Sequence, residues 1–332
     1  MSDPVLVEVL RGGLVESRHR GAVAVTDADG GIVFAAGDVA SPVFPRSAVK
    51  PLQALPLIES GAADRYKFTT AELALACASH GGEPAHVEGV ARILAKAGLD
   101  ASALACGTHW PSAQAAAFAL ARTGLPSALH NNCSGKHAGF LCAACATGVD
   151  HVGYWRPQHR VQLEVRGVIE DLTGTPLSQD RCAIDGCSVP TWAVPLQNLA
   201  RAFARFGTGR GLAPERAHAA TRLREACSHE PWYVAGTGRF CTEIMRLLGA
   251  RALVKTGAEG VFCGALPQQG FGIAIKCDDG AGRAAEAIMA ALLVRFLLLA
   301  DQEHAALTRF TQPILRNWNG TEVGSLRVTE AI

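Results

Sequence analysis

Aromatic residues are scarce in this sequence: they make up 6% of 332 residues, against 49% hydrophobic residues overall. The core must therefore be built mainly from small and aliphatic side chains, which favours tight packing of helices. An excess of one charge is also missing, because 31 Lys and Arg nearly balance 30 Asp and Glu. No basic block stands out, so we expect no nucleic-acid partner.

Long apolar runs are absent as well. The longest, residues 287–300, contains Arg295 and is shorter than the roughly 20 residues that a membrane-spanning helix needs. We therefore expect a buried helix there and no membrane partner. The first residues contain no apolar run that ends in a cleavage site, so no signal peptide is predicted. The eleven cysteines are accordingly expected to be reduced thiols in the cytoplasm.

Strand signals occur near both ends of the chain, and helical spacing fills the middle. Residues 22–37 carry two apolar runs around an Asp- and Gly-rich turn, which predicts a hairpin. A second strand zone runs from Ala252 to Cys277, and another hairpin is indicated at Asn319-Gly320. We predict an α+β (mixed α/β) fold whose terminal strands join one sheet. The expected organisation is one domain, 1–332, with a sheet lobe (about 1–45 and 250–332) and a mainly helical lobe (about 46–249).

The segment Ser47-Ala48-Val49-Lys50 has an S-x-x-K arrangement. Side chains three residues apart share a face of a helical turn, so a neutral lysine amine can take the serine proton. The following Pro51 disfavours a regular α conformation at Lys50, which predicts a distorted first turn. In most proteins, such a pair is only a helix-start serine beside a surface lysine.

A second motif, Lys255-Thr256-Gly257, follows an apolar run as the end of an edge strand would. Serine hydrolases with S-x-x-K early and K-T-G late use this strand to border the acyl site. The order in this chain fits that pattern. No S-D-N triplet lies between the motifs, so a plain β-lactamase or penicillin-binding protein loses support. A strand followed by a glycine turn is the alternative interpretation.

A polar stretch, Ser79-His80-Gly81-Gly82-Glu83, follows an apolar helical segment. Its glycines permit close approach of a ligand to the backbone. A helix C-cap with a polar turn would produce the same pattern. We favour a functional interpretation, because Ser79 can supply the hydroxyl of the missing triplet.

The segment NNCSGKHAGF, residues 131–140, gathers amides, a thiol, a hydroxyl, an amine and an imidazole. A second segment, CAIDGCSVP, residues 182–190, holds an aspartate between two thiols. Thiolates from separate loops suit zinc when nitrogen or oxygen donors join them. Paired C-x-x-C signatures are missing, so chemistry alone does not favour zinc at Cys133 and Cys187.

Two further features of these segments have plain explanations. His137 can be a metal ligand, a substrate contact or a satisfied core histidine, and the last is the commonest for a lone histidine. The pair Cys142 and Cys145 lies in an apolar helical segment, so we interpret it as packing.

Five segments in one order carry a resemblance to a known family. RSAVKPLQALPLIESGA, ASHGGEP, NNCSGKHAGF, CAIDGCSVP and VKTGAEGVFCGALP resemble the L-asparaginase II family of the Rhizobium etli type. The resemblance covers nearly the whole chain. The T-G-G-T loop of bacterial type I and II asparaginases is absent, as is the autoprocessing threonine segment of plant-type enzymes. The resemblance implies a fold like that of serine β-lactamases, penicillin-binding proteins and glutaminases, with an antiparallel sheet flanked by helices.

The resemblance also implies functional residues. Two serine–lysine pairs would be catalytic, namely Ser47 with Lys50 and Ser79 with Lys255. Zinc would be held by two cysteines and an unusual lysine ligand, namely Cys133, Cys187 and Lys136. One departure is Gly81, where the family commonly has serine. The implied substrate-binding residues are Arg46 (otherwise a surface arginine), His80, Asn132, His137 and Asp185.

The implied reaction is hydrolysis of the side-chain amide of L-asparagine to aspartate and ammonia. Ser47 would attack after Lys50 takes its proton, and backbone N–H groups near Ser47 would form the oxyanion hole. Ser79 and Lys255 would assist the water that breaks the ester. Two lysines close together would lower each other's pKa and so supply a neutral amine.

Two rival functions are weighed against this one. The first is a glutaminase or another serine acyl-transfer hydrolase that shares the serine–lysine chemistry. The second is a non-catalytic zinc-binding or ligand-binding protein, against which the presence of both serine–lysine pairs argues. The preferred interpretation is a cytoplasmic homodimer that acts on a small molecule, L-asparagine.

Overall fold

A computed structural model of the protein describes residues 3–332, and the chain in it divides into two units. Unit 1 contains the chain up to Ala48, Val194–Thr208 and Val254–Ile332, and unit 2 contains Val49–Ala193 and Gly209–Leu253. The segment 194–208 lies within the range expected for the helical lobe but belongs to the sheet-containing unit. The expectation of one asparaginase domain stays a prediction.

Most strands lie toward the two ends of the chain, as their β-branched and alternating residues predict, and three short strands lie between residues 182 and 195. They are β1 (Val5–Arg11), β2 (Leu14–Asp27), β3 (Ile32–Ala36), β4 (Pro42–Val43), β5 (Cys182–Ile184), β6 (Pro190–Trp192), β7 (Val194–Pro195), β8 (Leu253–Thr256), β9 (Val261–Leu266), β10 (Phe271–Cys277), β11 (Ile314–Arg316) and β12 (Glu322–Val328).

The helices lie between β4 and β8 and again between β10 and β11. They are α1 (Lys50–Gln53), α2 (Leu55–Glu59), α3 (Ala62–Arg65), α4 (Thr70–Ala76), α5 (Pro84–Lys96), α6 (Gln114–Ala121), α7 (Ser134–Ala146), α8 (Arg160–Thr173), α9 (Leu196–Thr208), α10 (Pro214–His229), α11 (Pro231–Ala235), α12 (Phe240–Leu248), α13 (Gly282–Phe296) and α14 (Asp301–Thr311).

Unit 1 is built on one large sheet with the strand order β11-β12-β1-β2-β10-β9-β8, to which β3 adds by pairing with β2. The first and last long strands are antiparallel neighbours, with Val9 opposite Leu326. The hairpin β2–β3 and the hairpin β11–β12 form where the turn residues predict them. The predicted α+β fold with an antiparallel sheet flanked by helices is therefore confirmed.

Helix α9 packs closely on the middle of this sheet. A Cβ atom on Gly272 of β10 would lie 1.9 Å from the carbonyl oxygen of Ala200 and 2.3 Å from the backbone nitrogen of Ala204. Only glycine permits the helix backbone to approach the strand this closely. Residues 272–275 are all buried, so both faces of β10 are covered.

Unit 2 is organised around α7, whose residues from Ser134 to Ala144 are all buried. A helix that is buried all round lies in the centre of its unit. At its start, a Cβ atom on Gly135 would lie 2.2 Å from the carbonyl oxygen of Leu75 in α4. Gly135 therefore permits the first turn of α7 to lie against the last turn of α4.

The apolar segment 287–300 was predicted to be one buried helix, and this is wrong at its end. Helix α13 stops at Phe296, and the side chain of Leu298 is 92% exposed. Gly174 ends α8 in the left-handed conformation, the usual role of a glycine at the C-terminus of a helix. Within residues 3–332, every helix is too short or too polar to cross a bilayer.

Replacing Gly135 by alanine should destabilise the protein, because the added methyl group would collide with a backbone oxygen that cannot move alone. We expect a loss of about 1–3 kcal/mol in the free energy of unfolding, measured by urea denaturation followed by circular dichroism. Gly139→Ala in the same helix is the matched control, since its nearest neighbour would be a side-chain carbon at 3.5 Å. Equal stability of the two variants would contradict this account of the packing.

Candidate active site

The buried amine of Lys50 is the centre of the site in unit 2. Lys50 follows a 3₁₀ turn, Arg46–Val49, and begins α1 with a proline at its next position, so the distorted first turn is observed. Its Nζ atom lies 2.7 Å from the carbonyl oxygen of Ala78 and 3.0 Å from Oγ of Ser79. The carbonyl oxygen and Oδ1 of Asn132 are each 3.3 Å away. The structure thus brings a lysine amine into hydrogen-bond contact with Ser79.

This set of contacts suits either charge state of the amine. A neutral amine can donate its two hydrogens to Ala78 and Asn132 and turn its lone pair toward the Ser79 hydroxyl. An ammonium can donate to the same oxygens and to Oγ of Ser79. Proton transfer between Ser79 and Lys50 would therefore need no rearrangement of the surrounding backbone.

The backbone on either side of Ser47 is constrained within unit 1. Arg46 has a φ of 51°, a left-handed conformation that costs a residue other than glycine about 1–2 kcal/mol. A Cβ atom on Gly257 would lie 2.8 Å from the carbonyl oxygen of Pro45 and 3.2 Å from the backbone nitrogen of Ala48. The K-T-G segment and the segment that carries Ser47 are therefore neighbours. Lys255 is buried and donates a hydrogen bond to the carbonyl oxygen of Thr256.

Ser79 and His80 are held by contacts of the loop that follows α4. The backbone N–H of Ser79 donates to the carbonyl oxygen of Val234. His80 accepts a hydrogen bond at Nδ1 from the Gly82 N–H, so its Nε2–H donates to Oγ of Ser134, 2.9 Å away. Both ring nitrogens of His80 are therefore used inside the protein, and substrate contact by this residue stays a prediction.

A second cluster joins the start of α7 to the turn between β5 and β6. Nζ of Lys136 lies 3.2 Å from Sγ of Cys187, and both side chains are buried, as is that of Cys133. Cys187 lies in this hairpin turn next to Ser188, which is left-handed with a φ of 76°. Strained backbone therefore flanks Cys187, as it flanks Ser47.

The pKa values of the two thiols in this cluster are shifted in opposite directions. A hydrogen bond from Cys187 lowers the pKa of Cys133 well below its usual value; burial opposes the shift, and Lys50 and Lys136 reinforce it. The same bond and burial raise the pKa of Cys187. Burial alone would lower the pKa of Lys136, but the two cysteines and Asp185 hold it above its usual value. These shifts favour a thiolate at Cys133 over one at Cys187, and they favour the ammonium form of Lys136.

The donor chemistry of this cluster fits a zinc ion. Two thiols and one amine converge in a buried place; the thiols are the sulfur donors that Zn²⁺ prefers, and the amine becomes a nitrogen donor when it loses its proton. Among residues 3–332, no group of three or more His, Cys, Asp or Glu side chains is arranged to hold a metal. A site here would therefore depend on Lys136 as its nitrogen donor.

His137 lies one turn after Cys133 on α7 and is completely buried. Its Nδ1 atom is 2.6 Å from the hydroxyl of Tyr154, and its Nε2 atom has no partner among the described residues. Burial lowers the pKa of His137 well below its usual value, and the charges of Lys136 and Lys50 add to this. The imidazole is therefore neutral.

Sequence reasoning missed the residues that hold the Asn131-Asn132 turn. The amide of Asn131 donates to the carbonyl oxygens of Cys106 and Gly107, and its Oδ1 accepts from the Cys133 N–H. His109 accepts a hydrogen bond at Nε2 from the Asn132 N–H. A lone histidine beside Trp110 carries no local signal of this role, because its partner is 23 residues away in the chain.

The predicted site residues fall into two groups. Arg46, Ser47 and Lys255 belong to unit 1. The others belong to unit 2 and are Lys50, Ser79, His80, Asn132, Cys133, Lys136, His137, Asp185 and Cys187. The serine–lysine contact seen in unit 2 joins Lys50 to Ser79, whereas the resemblance implied the pairs Ser47–Lys50 and Ser79–Lys255.

These features define a buried serine–lysine site beside a thiol-rich cluster. The model of the L-asparaginase II family matches residues 7–328, so the chain belongs to this family. Membership of an asparaginase family supports a hydrolase. No curated protein matches the chain.

Several solved structures are similar to this chain at low identity. A β-lactamase from Mycobacterium bovis is 15% identical, with 84% of this chain and 95% of that chain covered and a TM-score of 0.40. A protein titled as a β-lactamase from Bacteroides dorei is 14% identical, with coverage of 83% and 92% and a TM-score of 0.42. Mglu in its L-glutamate binding form is 18% identical, with a TM-score of 0.40; 85% of this chain is covered, but only 61% of Mglu.

The free energy of unfolding should decrease as the pH is lowered, because of His80. Burial lowers the pKa of this imidazole well below its usual value, and the nearby His86 and Lys50 add to the effect. Below a pH of about 6.5, the unfolded chain binds a proton that the folded protein excludes, so each such histidine costs about 1.4 kcal/mol per pH unit. This loss continues until the lower folded-state pKa is reached.

Urea denaturation between pH 7 and pH 5 would measure this dependence. His80→Gln should show a shallower decline than the unchanged protein, even if it is less stable at pH 7. His218→Gln, at an exposed position of α10, should leave the slope unchanged. Identical slopes for the two variants would show that His80 takes up its proton in the folded state.

Proposed function

We propose that the protein hydrolyses the side-chain amide of L-asparagine, as an L-asparaginase of the Rhizobium etli type. The observation that carries this proposal is the 3.0 Å contact between Nζ of Lys50 and Oγ of Ser79, in a chain that belongs to the L-asparaginase II family. A buried amine beside a serine hydroxyl is the arrangement that activates an alcohol for attack on a carboxamide.

The reaction proceeds through an ester of the enzyme. In the proposed sequence, the hydroxyl of Ser47 attacks the amide carbon while its proton passes to the amine of Lys50. Ammonia leaves with a proton as the aspartyl ester forms. Ser79 exchanges a proton with Lys50 across their hydrogen bond, and Lys255 assists the water that hydrolyses the ester. Each proton taken from serine or water is returned to ammonia or to serine, so the enzyme ends unchanged.

The acceptor oxygens around Lys50 account for its role in this sequence. An ammonium buried without partners would cost several kcal/mol. Here the carbonyl oxygens of Ala78 and Asn132 lie 2.7 Å and 3.3 Å from the amine and serve as its acceptors.

Cys133, Lys136 and Cys187 are proposed to hold Zn²⁺ beside this site. When bound, the ion would supply a Lewis acid for an oxygen or nitrogen atom of the ligand. The protein's own contribution is to lower the pKa of Cys133, which favours its thiolate form, and to keep all three donors buried. The homodimer and the cytoplasmic location stay predictions.

Activity tests should separate the proposed roles. Ser47→Ala, Ser79→Ala and Lys50→Met should each reduce kcat/KM for L-asparagine by at least about 10³-fold, measured as ammonia release. Lys276→Met, in β10, is the control and should retain activity. Full activity of Ser47→Ala would dismiss Ser47 as the nucleophile, and faster turnover of L-glutamine or of a chromogenic β-lactam would favour the rival hydrolase.

Zinc content tests the metal site independently of turnover. Cys133→Ala should lose most of the bound zinc, because it removes the thiolate of the cluster, whereas Cys142→Ala should keep it. Cys142 is also buried in α7 but lies away from the cluster, at the carbonyl oxygen of Ile93. Elemental analysis after gel filtration in zinc-containing buffer measures both variants. Equal zinc in Cys133→Ala and the unchanged protein would reject this ligand assignment.

A further inference from the structure

We infer that Tyr154 is a positioning residue that holds His137 as the neutral Nε2–H tautomer, so that this imidazole presents one fixed N–H to an acceptor oxygen of the bound substrate. The inference rests on the proposed function for the identity of the substrate. The hydrogen bonds that support it all lie inside unit 2.

The direction of the Tyr154 hydrogen bond follows from its two contacts. Tyr154 is fully buried, and its Oη atom lies 2.9 Å from the backbone nitrogen of Ala105 and 2.6 Å from Nδ1 of His137. A backbone N–H can only donate, so Oη accepts from Ala105. The single hydroxyl hydrogen then needs an acceptor, and Nδ1 of His137 is the acceptor within reach.

The opposite direction is disfavoured. If Nδ1 of His137 donated to Tyr154, the hydroxyl hydrogen would have no acceptor in a place without solvent. A buried donor without an acceptor loses the full free energy of its hydration. The tyrosine therefore donates, Nδ1 accepts, and the remaining proton of the neutral ring is on Nε2.

This Nε2–H is itself buried and has no partner among the described residues. Buried polar atoms of native proteins rarely lack a partner, so a group from outside the chain is expected to accept this hydrogen bond. His137 lies one helical turn from Cys133, since its backbone N–H donates to the Cys133 carbonyl oxygen. Lys136 precedes it, and Cys133 is next to Asn132, which contacts Lys50. The helix turn that carries this donor therefore adjoins the candidate active site.

The chemistry of the site limits what the partner can be. The neutral Nε2–H of His137 is a hydrogen-bond donor, so its partner needs an oxygen or nitrogen atom with a lone pair. The neighbouring lysines favour a partner atom that carries a partial or full negative charge. A carboxylate or carboxamide oxygen of an amino-acid ligand meets both conditions. A bound water would satisfy the hydrogen bond as well, and the experiment below separates it from a ligand.

Nitrogen NMR of the protein labelled with ¹⁵N-histidine tests the tautomer directly. In the unchanged protein, His137 should show a protonated Nε2 and an unprotonated Nδ1. Tyr154→Phe removes the donor to Nδ1 and should shift His137 toward a mixture of tautomers. Tyr66→Phe is the control and should leave the His137 signals unchanged. Protonation of Nδ1 in the unchanged protein would overturn the inference.

Addition of L-aspartate, the proposed product, tests the partner. A shift of the Nε2–H proton resonance on titration with L-aspartate supports an oxygen acceptor from the ligand. An Nε2–H signal that stays the same while other site signals move indicates a bound water only and overturns that part of the inference. This readout does not depend on turnover, so it is distinguishable from failure of the proposed function, which would appear as absent ammonia release.

Kinetics of two substitutions complete the test. The amide nitrogen of glutamine can take the place of Nε2, whereas that of asparagine reaches only the position of Nδ1. His137→Gln should retain kcat/KM for L-asparagine within about tenfold, and His137→Asn should lose about 100-fold, mainly through KM. Tyr154→Phe should raise KM more than it lowers kcat. Equal losses in the two His137 variants, with both folded by circular dichroism, would contradict the donor role.

Discussion

The hydrogen bonds of one buried amine, that of Lys50, set the arrangement of unit 2. A lysine that is fully buried needs acceptors at fixed positions, because its ammonium form would otherwise be too costly. These acceptors come from two chain segments: the loop that follows α4, with Ala78 and Ser79, and the turn before α7, with Asn132. The segments meet only because Gly135 permits α7 to lie directly against α4. The close packing of α7 on α4 therefore also brings together the acceptors of the Lys50 amine.

The first turn of α7 shows how much polar chemistry a buried helix start can hold. Ser134 accepts the hydrogen bond of His80, Lys136 contacts Cys187, and His137 contacts Tyr154. Each polar group has a specific partner elsewhere in unit 2, except Nε2 of His137. Backbone strain is found at Arg46 and Ser188, next to residues proposed to act on or bind a ligand. Strain of this kind persists where the surrounding contacts determine the backbone.

The two kinds of hydrogen-bond network in the site have different consequences. Around Lys50 the partners are mostly carbonyl oxygens, which remain in place for either charge state. Around Cys133 the neighbours Cys187 and Lys136 are titratable, and the hydrogen bond with Cys187 lowers the pKa of Cys133. The first network suits repeated proton transfer, and the second suits stable binding. Their common segment is the Asn132-Cys133 turn, where Oδ1 of Asn132 lies 3.3 Å from Nζ of Lys50 and 3.0 Å from Sγ of Cys133.

Local sequence determined the hairpins, the cap at Gly174 and the sheet-forming ends of the chain, because turn residues and strand periodicity act over short distances. It also determined the unusual polar content of residues 131–137. Only the tertiary structure decided that Lys50 contacts Ser79, that α13 ends at Phe296, and that His109 and Tyr154 support the site. These outcomes depend on which donors and acceptors meet across distant segments. Such hydrogen bonds have no local periodicity, so no pattern in the sequence could predict them.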